Sequence, residues 1–261
     1  MVRIGFGVLF LLGALEPAYA QVPTVDFSVK DSLKLSAKLY KPEGVGPFPA
    51  VILLHDCDGP SGNAPIDKVA ILLRASGYIG IAVDSFGGRG VSGSACEGGN
   101  LKAPTSTDLV EDAFAANRYL ASLAFVDKTR IGLLGWGDGG RAALLTLKRN
   151  ANETNPPPFS AFAAYYPDCR VFGETRTANA SVLILTGDRN EFSIPFDCQE
   201  FRKHHSALGF DVSVVVYPGA TYGFDFERNA QRKSHSLQAD PAAASDSRDK
   251  LLAFFNRTLM K

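Results

Sequence analysis

Neither sign of charge prevails in this sequence of 261 residues: 27 lysines and arginines stand against 27 aspartates and glutamates. That balance excludes the basic footprint of a nucleic-acid binder, and no basic amphipathic helix points to a membrane surface. Histidine and cysteine are scarce, four of each. None stands in a CxxC or Cys/His spacing, so no zinc site is expected, nor any other metal or cofactor. The one long apolar run, Ile4 to Leu15, falls short of the roughly 20 residues that span a bilayer. Internal repeats, linkers and low-complexity tracts are also missing. What remains is a single domain, with 46% hydrophobic residues to fill its core.

The short apolar run has another reading. Arg3 precedes it and Ala18-Tyr19-Ala20 follows, the layout of a cleavable export signal over residues 1–20. Residues 21–261 then form the mature domain, periplasmic or secreted, with no membrane segment. All four cysteines (Cys57, Cys96, Cys169 and Cys198) lie in that domain. An even count in an exported chain predicts two disulfides, for which the sequence alone allows three connectivities.

Apolar and polar residues alternate over Val25–Lys30 and Leu33–Tyr40, as in an antiparallel pair of strands at a sheet edge. Ala50–Leu54 is a continuous apolar run, as expected of a strand covered on both faces, and Tyr78–Val83, Arg130–Leu134, Ala161–Tyr166, Val182–Thr186 and Val212–Tyr217 are expected as further strands. Helices are expected between them, over Pro65–Ala75, after a cap at Thr105, Ser106 or Thr107, after the Gly135–Gly140 turn, and over Phe196–Leu208. A last helix is expected over Ser245–Leu259, with Leu251, Leu252 and Phe255 facing inward. Alternation of this kind implies an α/β fold: a mostly parallel central sheet with helices on both faces. Ligands of such sheets bind beyond the carboxyl ends of the strands, where the loops starting at His55, Asp84, Gly135, Gly187 and Tyr217 converge.

One stretch among these carries chemistry. Arg130-Ile131-Gly132-Leu133-Leu134 runs into Gly135-Trp136-Gly137-Asp138-Gly139, and a helix leaves the turn. This is the strand–turn–helix layout of the G-x-S-x-G nucleophile elbow of the α/β-hydrolase fold, with Gly137 where the nucleophile belongs.

The sequence resembles the dienelactone hydrolase family, in particular its exported, cysteine-paired members. The resemblance rests on Pro49–His55, Gly77–Phe86, Arg130–Trp136 and Tyr217-Pro218-Gly219-Ala220, in that order along nearly the whole mature chain. It implies disulfides Cys57–Cys96 and Cys169–Cys198, each closing a loop that contributes about 3.5 to 4 kcal/mol in the chain-entropy model. It also assigns positions to the family's nucleophile, acid and histidine. The nucleophile falls on Gly137. The acid, three residues after Gly187, falls on Asn190, with Glu191 one residue away and Asp188 in the same turn. The histidine, after Tyr-Pro-Gly-Ala and one more residue, falls on Tyr222.

Acyl transfer needs a nucleophile, a base to take its proton and an acid to hold the base. Gly137 has no side chain, Tyr222 is a poor base at neutral pH, and Asn190 cannot stabilise an imidazolium. The resemblance therefore leads to an exported hydrolase-like protein that has lost catalysis and binds a small molecule or a partner. The alternative is an active hydrolase of small esters or lactones using Asp138, Tyr222, Glu191 and His55. A ligand would be a small carboxylate, ester or lactone. If only the triad is missing, the triple change Gly137→Ser, Asn190→Asp, Tyr222→His should restore esterase activity.

Further pocket candidates are His55 and Asp56 in the family's oxyanion loop, Arg89 in a loop where family members place a basic residue for a substrate carboxylate, and Trp136 and Phe224. Asp56, Asp58 and Asp138 are expected to be solvated loop carboxylates. His204, His205 and His235 are expected at the surface.

Overall fold

The computed structural model describes residues 22–30, 33–62, 64–98, 100–150, 157–171, 180–232 and 235–260. The expected export signal over residues 1–20 lies outside them. Among the described residues no helix is long and apolar enough to cross a membrane.

Eight strands form one sheet. They are β1 (Thr24–Lys30), β2 (Leu33–Tyr40), β3 (Phe48–Leu54), β4 (Ile79–Asp84), β5 (Val126–Trp136), β6 (Ala161–Tyr165), β7 (Ser181–Arg189) and β8 (Asp211–Thr221), in the spatial order β1-β2-β4-β3-β5-β6-β7-β8. The β1–β2 and β2–β4 pairs are antiparallel and all later pairs are parallel. The alternating pattern of the first two strands thus marks the half-covered edge, and the continuous apolar run Ala50–Leu54 marks the buried centre.

Helices α1 (Ile66–Ala75) and α5 (Pro241–Leu259) cover one face; α2 (Ser106–Ala121), α3 (Asp138–Asn150) and α4 (Pro195–Ala207) cover the other. On the first face Val69, Leu73, Leu251 and Phe255 pack on Val51, Leu134 and Leu183. On the second, Leu109, Ala113, Leu144 and Phe201 pack on Ile52, Leu133 and Ile184. The cap of α2 is Thr105. Its Oγ1 accepts from Asp108 N at 3.2 Å, and Asp108 Oδ2 accepts from Thr105 N at 2.8 Å, the reciprocal capping box.

Several boundaries differ from expectation. Helix α5 begins four residues early, because Asp240 accepts from Ala242 N and Ala243 N and Pro241 fits the first turn. A short hairpin, β9 (Ala230–Arg232) and β10 (His235–Leu237), stands where a loop was expected. His205 is buried: its ring stacks on Phe201 at 3.8 Å and its Nδ1 lies 2.9 Å from Phe201 O. His204 is exposed on the same helix. The sheet's central crossover positions β5 and α3, and with them the turn at Gly137.

Candidate active site

Strand β5 ends beside β3 and β6, with Gly135 opposite Leu54 and Trp136 opposite Tyr165. The chain then turns within one residue. Gly137 has φ +50°, a left-handed conformation that costs a non-glycine residue about 1 to 3 kcal/mol. Its carbonyl accepts from Arg141 N at 2.8 Å, which starts α3. The helix can start so close to the sheet because Gly139 has no side chain; a β-carbon there would lie 2.5 Å from Leu54 O and 2.6 Å from His55 O.

The space above Gly137 is filled. A β-carbon at this position would collide with the Tyr222 hydroxyl and the Asp56 carboxylate, coming within 2.5 Å of Asp56 Cγ. Tyr222 donates to Asp56 Oδ2 at 2.7 Å, and Asp138 N donates to Asp56 Oδ1 at 3.1 Å. The backbone N–H after the nucleophile position, the donor that would face an oxyanion, thus holds a carboxylate of the chain itself. Asp56 is 2% exposed. This corrects the expectation that it is a solvated loop carboxylate; with Gly137 lacking a side chain, its group turns inward. Asp138 is exposed and Asp58 half-buried.

Asn190, the residue that the resemblance assigns to the acid position, is also buried but serves its own turn. Its Oδ1 accepts from Phe192 N and Ser193 N, both at 3.1 Å, and its Nδ2 donates to Thr186 Oγ1 at 3.2 Å. Glu191 is exposed in a shallow neighbouring groove, and Asp188 accepts from Gly219 N at 2.7 Å. The three positions that the family resemblance assigns hold a glycine, an asparagine and a tyrosine.

His55 is buried under Phe86, in edge-to-face contact at 4.6 Å. Ser85 N donates to its Nε2 at 3.2 Å, so its Nδ1 carries the proton and donates to Asp56 O at 2.7 Å. Burial holds its pKa below the ordinary 6.5, and both ring nitrogens are committed. It ties the loop after β3 to the end of β4.

Arg89 does not reach the cleft. It forms a bidentate pair with Asp112 of α2, at 2.8 and 2.9 Å, and donates to Ser85 O at 2.8 Å. Asp112 is fully buried and Arg89 nearly so. Trp136 and Phe224 are core residues, not pocket walls. Trp136 stacks on Tyr165 at 5.4 Å and donates from Nε1 to Asp225 at 2.8 Å. Phe224 packs against Tyr165, Tyr166 and Tyr217.

Two residues here were missed from sequence. Asp225 is buried and accepts from Tyr166 Oη at 2.8 Å as well as from Trp136. Burial pushes its pKa up to about 6. Tyr166 has φ +39°, the one non-glycine residue among those described with positive φ, and its ring lies 4.4 Å from that of Tyr222. A strained aromatic held by a buried carboxylate thus backs Tyr222. The only advance signal was the Phe-Asp pair following the Tyr-Pro-Gly-Ala stretch, which ranks low without the fold.

An open cleft of about 540 Å³ remains over this plug. Its wall includes Cys57, Cys96, Gly137, Asp138, Arg141, Tyr166, Phe192, Ser193 and Tyr222. Of the seven pocket candidates read from sequence, Asp138 alone lines it. Arg141 is engaged by Asp168, which also binds Arg170 at 2.9 Å. The disulfides are Cys57–Cys96 and Cys169–Cys198, the pairing that the resemblance implies.

The dienelactone hydrolase family model matches residues 35–259. Solved structures share the fold. A Klebsiella pneumoniae protein assigned as a dienelactone hydrolase superposes with TM-score 0.70 at 20% identity, covering 90% of this chain and 98% of its own. A dienelactone hydrolase-like promiscuous phosphotriesterase from metagenomic libraries gives TM-score 0.74 at 17% identity, with coverages of 90% and 97%. Esterase 2 of Thermogutta terrifontis, phosphorylated by paraoxon, gives 0.65 at 18% identity, with coverages of 90% and 94%.

Proposed function

Since this chain belongs to the dienelactone hydrolase family, we propose that it is an exported member that has given up acyl transfer and keeps the cleft for binding a small molecule. The observation that carries this reading is the Asp56–Tyr222 pair, which occupies the nucleophile's space and the oxyanion donor together. Loss of a triad nucleophile alone costs about 10⁶ in turnover, and what remains depends on the oxyanion hole. Here that donor is engaged too. Export is supported by the leader-like residues 1–20 and by two disulfides, which persist in oxidising compartments.

The test is a steady-state assay with p-nitrophenyl acetate and small lactones. The expected result is a rate equal to buffer. Turnover that disappears in Asp138→Ala or Tyr222→Phe would instead establish a hydrolase with an unorthodox residue set.

A further inference from the structure

The two disulfides stand in opposite surroundings. Cys169 and Cys198 are fully buried among the core residues. Cys57 and Cys96 are each partly exposed, and both line the open cleft above Gly137. Thiol–disulfide exchange requires a thiolate to reach a disulfide sulfur, and exposed disulfides are the labile and regulatory ones. In the folded protein only the cleft disulfide meets that condition.

This disulfide is also joined to the plug. Cys57 directly follows Asp56, whose carboxylate holds the Tyr222 hydroxyl and Asp138 N over Gly137. Cys57 O accepts from Ala95 N at 2.8 Å, and Asp58 Oδ1 accepts from Ser94 Oγ at 2.8 Å. These two bonds and the disulfide pin the loop after β3 to the loop that carries Cys96. The disulfide is the covalent member of the three, and without it the segment bearing Asp56 regains conformational freedom.

The two sulfurs are not equivalent. Cys57 Sγ lies within 4.8 Å of side-chain oxygens of Asp56 and Asp138, at the floor of the cleft. Cys96 Sγ lies 2.9 Å from Asp58 Oδ1. Once released and protonated, it has a carboxylate oxygen at hydrogen-bonding distance to accept its S–H.

We propose that Cys57–Cys96 is a thiol–disulfide exchange site, at which a small organic thiol modifies the protein and loosens the Asp56–Tyr222 plug. The thiolate attacks Cys57 Sγ, and a bond forms between the two sulfurs. The Cys57–Cys96 bond breaks, and its electron pair leaves on Cys96 Sγ, which takes a proton. The entering thiol is oxidised and Cys96 is reduced. A second thiol then releases the symmetrical disulfide of the reagent and leaves both cysteines reduced. This chemistry requires neither acyl transfer nor its loss, so it stands apart from the reading of the cleft given above.

The experiment incubates the folded mature chain, both disulfides intact, with 2-mercaptoethanol at mildly alkaline pH. Acid quenching, alkylation with iodoacetamide and peptide mapping follow the two disulfides over time. Opening of Cys57–Cys96 is expected at least about tenfold faster than that of Cys169–Cys198. The first product should carry the mixed disulfide on Cys57 and the alkyl group on Cys96. Equal rates for the two disulfides would mean that exchange follows unfolding of the whole domain, and would overturn the site. A mixed disulfide found on Cys96 instead would overturn the direction of attack. Hydrogen exchange of the Asp138 amide, which donates to Asp56, reads the plug. Its protection should fall about tenfold or more in the mixed disulfide, as expected of a local opening. Unchanged protection would overturn the link between the disulfide and the plug.

Discussion

The Tyr222 hydroxyl donates to Asp56 Oδ2 at 2.7 Å across a gap of 166 residues in sequence, and the pair stands where a side chain at position 137 would have to go. Asp56, Gly137 and Tyr222 are therefore geometrically coupled. An inward Asp56 requires Gly137, and the Tyr222 hydroxyl caps the carboxylate oxygen that Asp138 N–H leaves.

This coupling revises the outcome expected of repair. Gly137→Ser, Asn190→Asp and Tyr222→His together would remove the tyrosine but leave the Asp56 carboxylate against the new serine and on the oxyanion donor. The triple variant is expected to show no esterase activity. Adding Asp56→Gly should raise p-nitrophenyl acetate turnover about 10²-fold or more over the triple variant, the usual effect of one oxyanion donor. Equal activity in the triple and quadruple variants would show that Asp56 moves aside freely.

Gly137→Ala tests the same packing through stability. The methyl group would meet the Asp56 carboxylate and Tyr222 hydroxyl, and the backbone would be held at φ +50°. Left-handed strain and overpacking together should cost about 2 to 5 kcal/mol, read as a lower urea midpoint at unchanged slope. In the background Asp56→Gly, Tyr222→Phe the cost should fall toward the strain alone. A loss below about 0.5 kcal/mol, the range of a neutral surface change, would mean that the plug is not rigid.

The sheet was legible in the sequence because its signals are local. Apolar runs such as Val51–Leu54 and Leu133–Leu134 need both faces covered, and Gly135, Gly137 and Gly139 mark a turn that other residues would not fit. The cysteine pairing came from family resemblance, and the structure has the same pairs. The inward turn of Asp56 was not legible, because it depends on a missing side chain 81 positions away. Arg89 and His205 misled for a related reason. A charged loop residue is buried only if a partner such as Asp112 waits on another element, and a helical histidine is buried only if its face meets the core. The spacing of four from Phe201 to His205 was the available hint.

Asp225 should give stability a recognisable pH dependence. Its folded-state pKa is raised from 3.8 to about 6, with burial as the largest cause. The folded state therefore keeps a proton that the unfolded state has already lost. The stabilisation is fully present below about pH 3.8 and is lost as pH rises through about 6, an effect on the order of 3 kcal/mol. The comparison of wild type with Asp225→Asn isolates it. Between pH 4 and 7, the variant should gain stability relative to wild type as pH rises. A constant difference across that window would rule out Asp225 as the titrating group. Trp136, the one tryptophan in the sequence, donates to Asp225 and reports the same titration by its fluorescence.

Arg89 offers a clean separation of fold from ligand recognition. Its guanidinium lies on a carboxylate that is fully buried in α2, and it also donates to Ser85 O. Removing it leaves Asp112 charged and unpaired in the interior, or forces that group to take a proton; burial already raises its pKa with the arginine in place. Arg89→Ala is therefore expected to destabilise the domain by about 3 to 5 kcal/mol. The double variant Arg89→Ala, Asp112→Leu should recover most of that loss, since a packed apolar pair replaces a buried ionic one at little cost. A side chain that served a ligand carboxylate would behave otherwise. Its removal would spare the urea midpoint, and Asp112→Leu would not rescue it. The double-mutant cycle in urea decides between the two, because the coupling it isolates belongs to the pair and not to anything bound in the cleft.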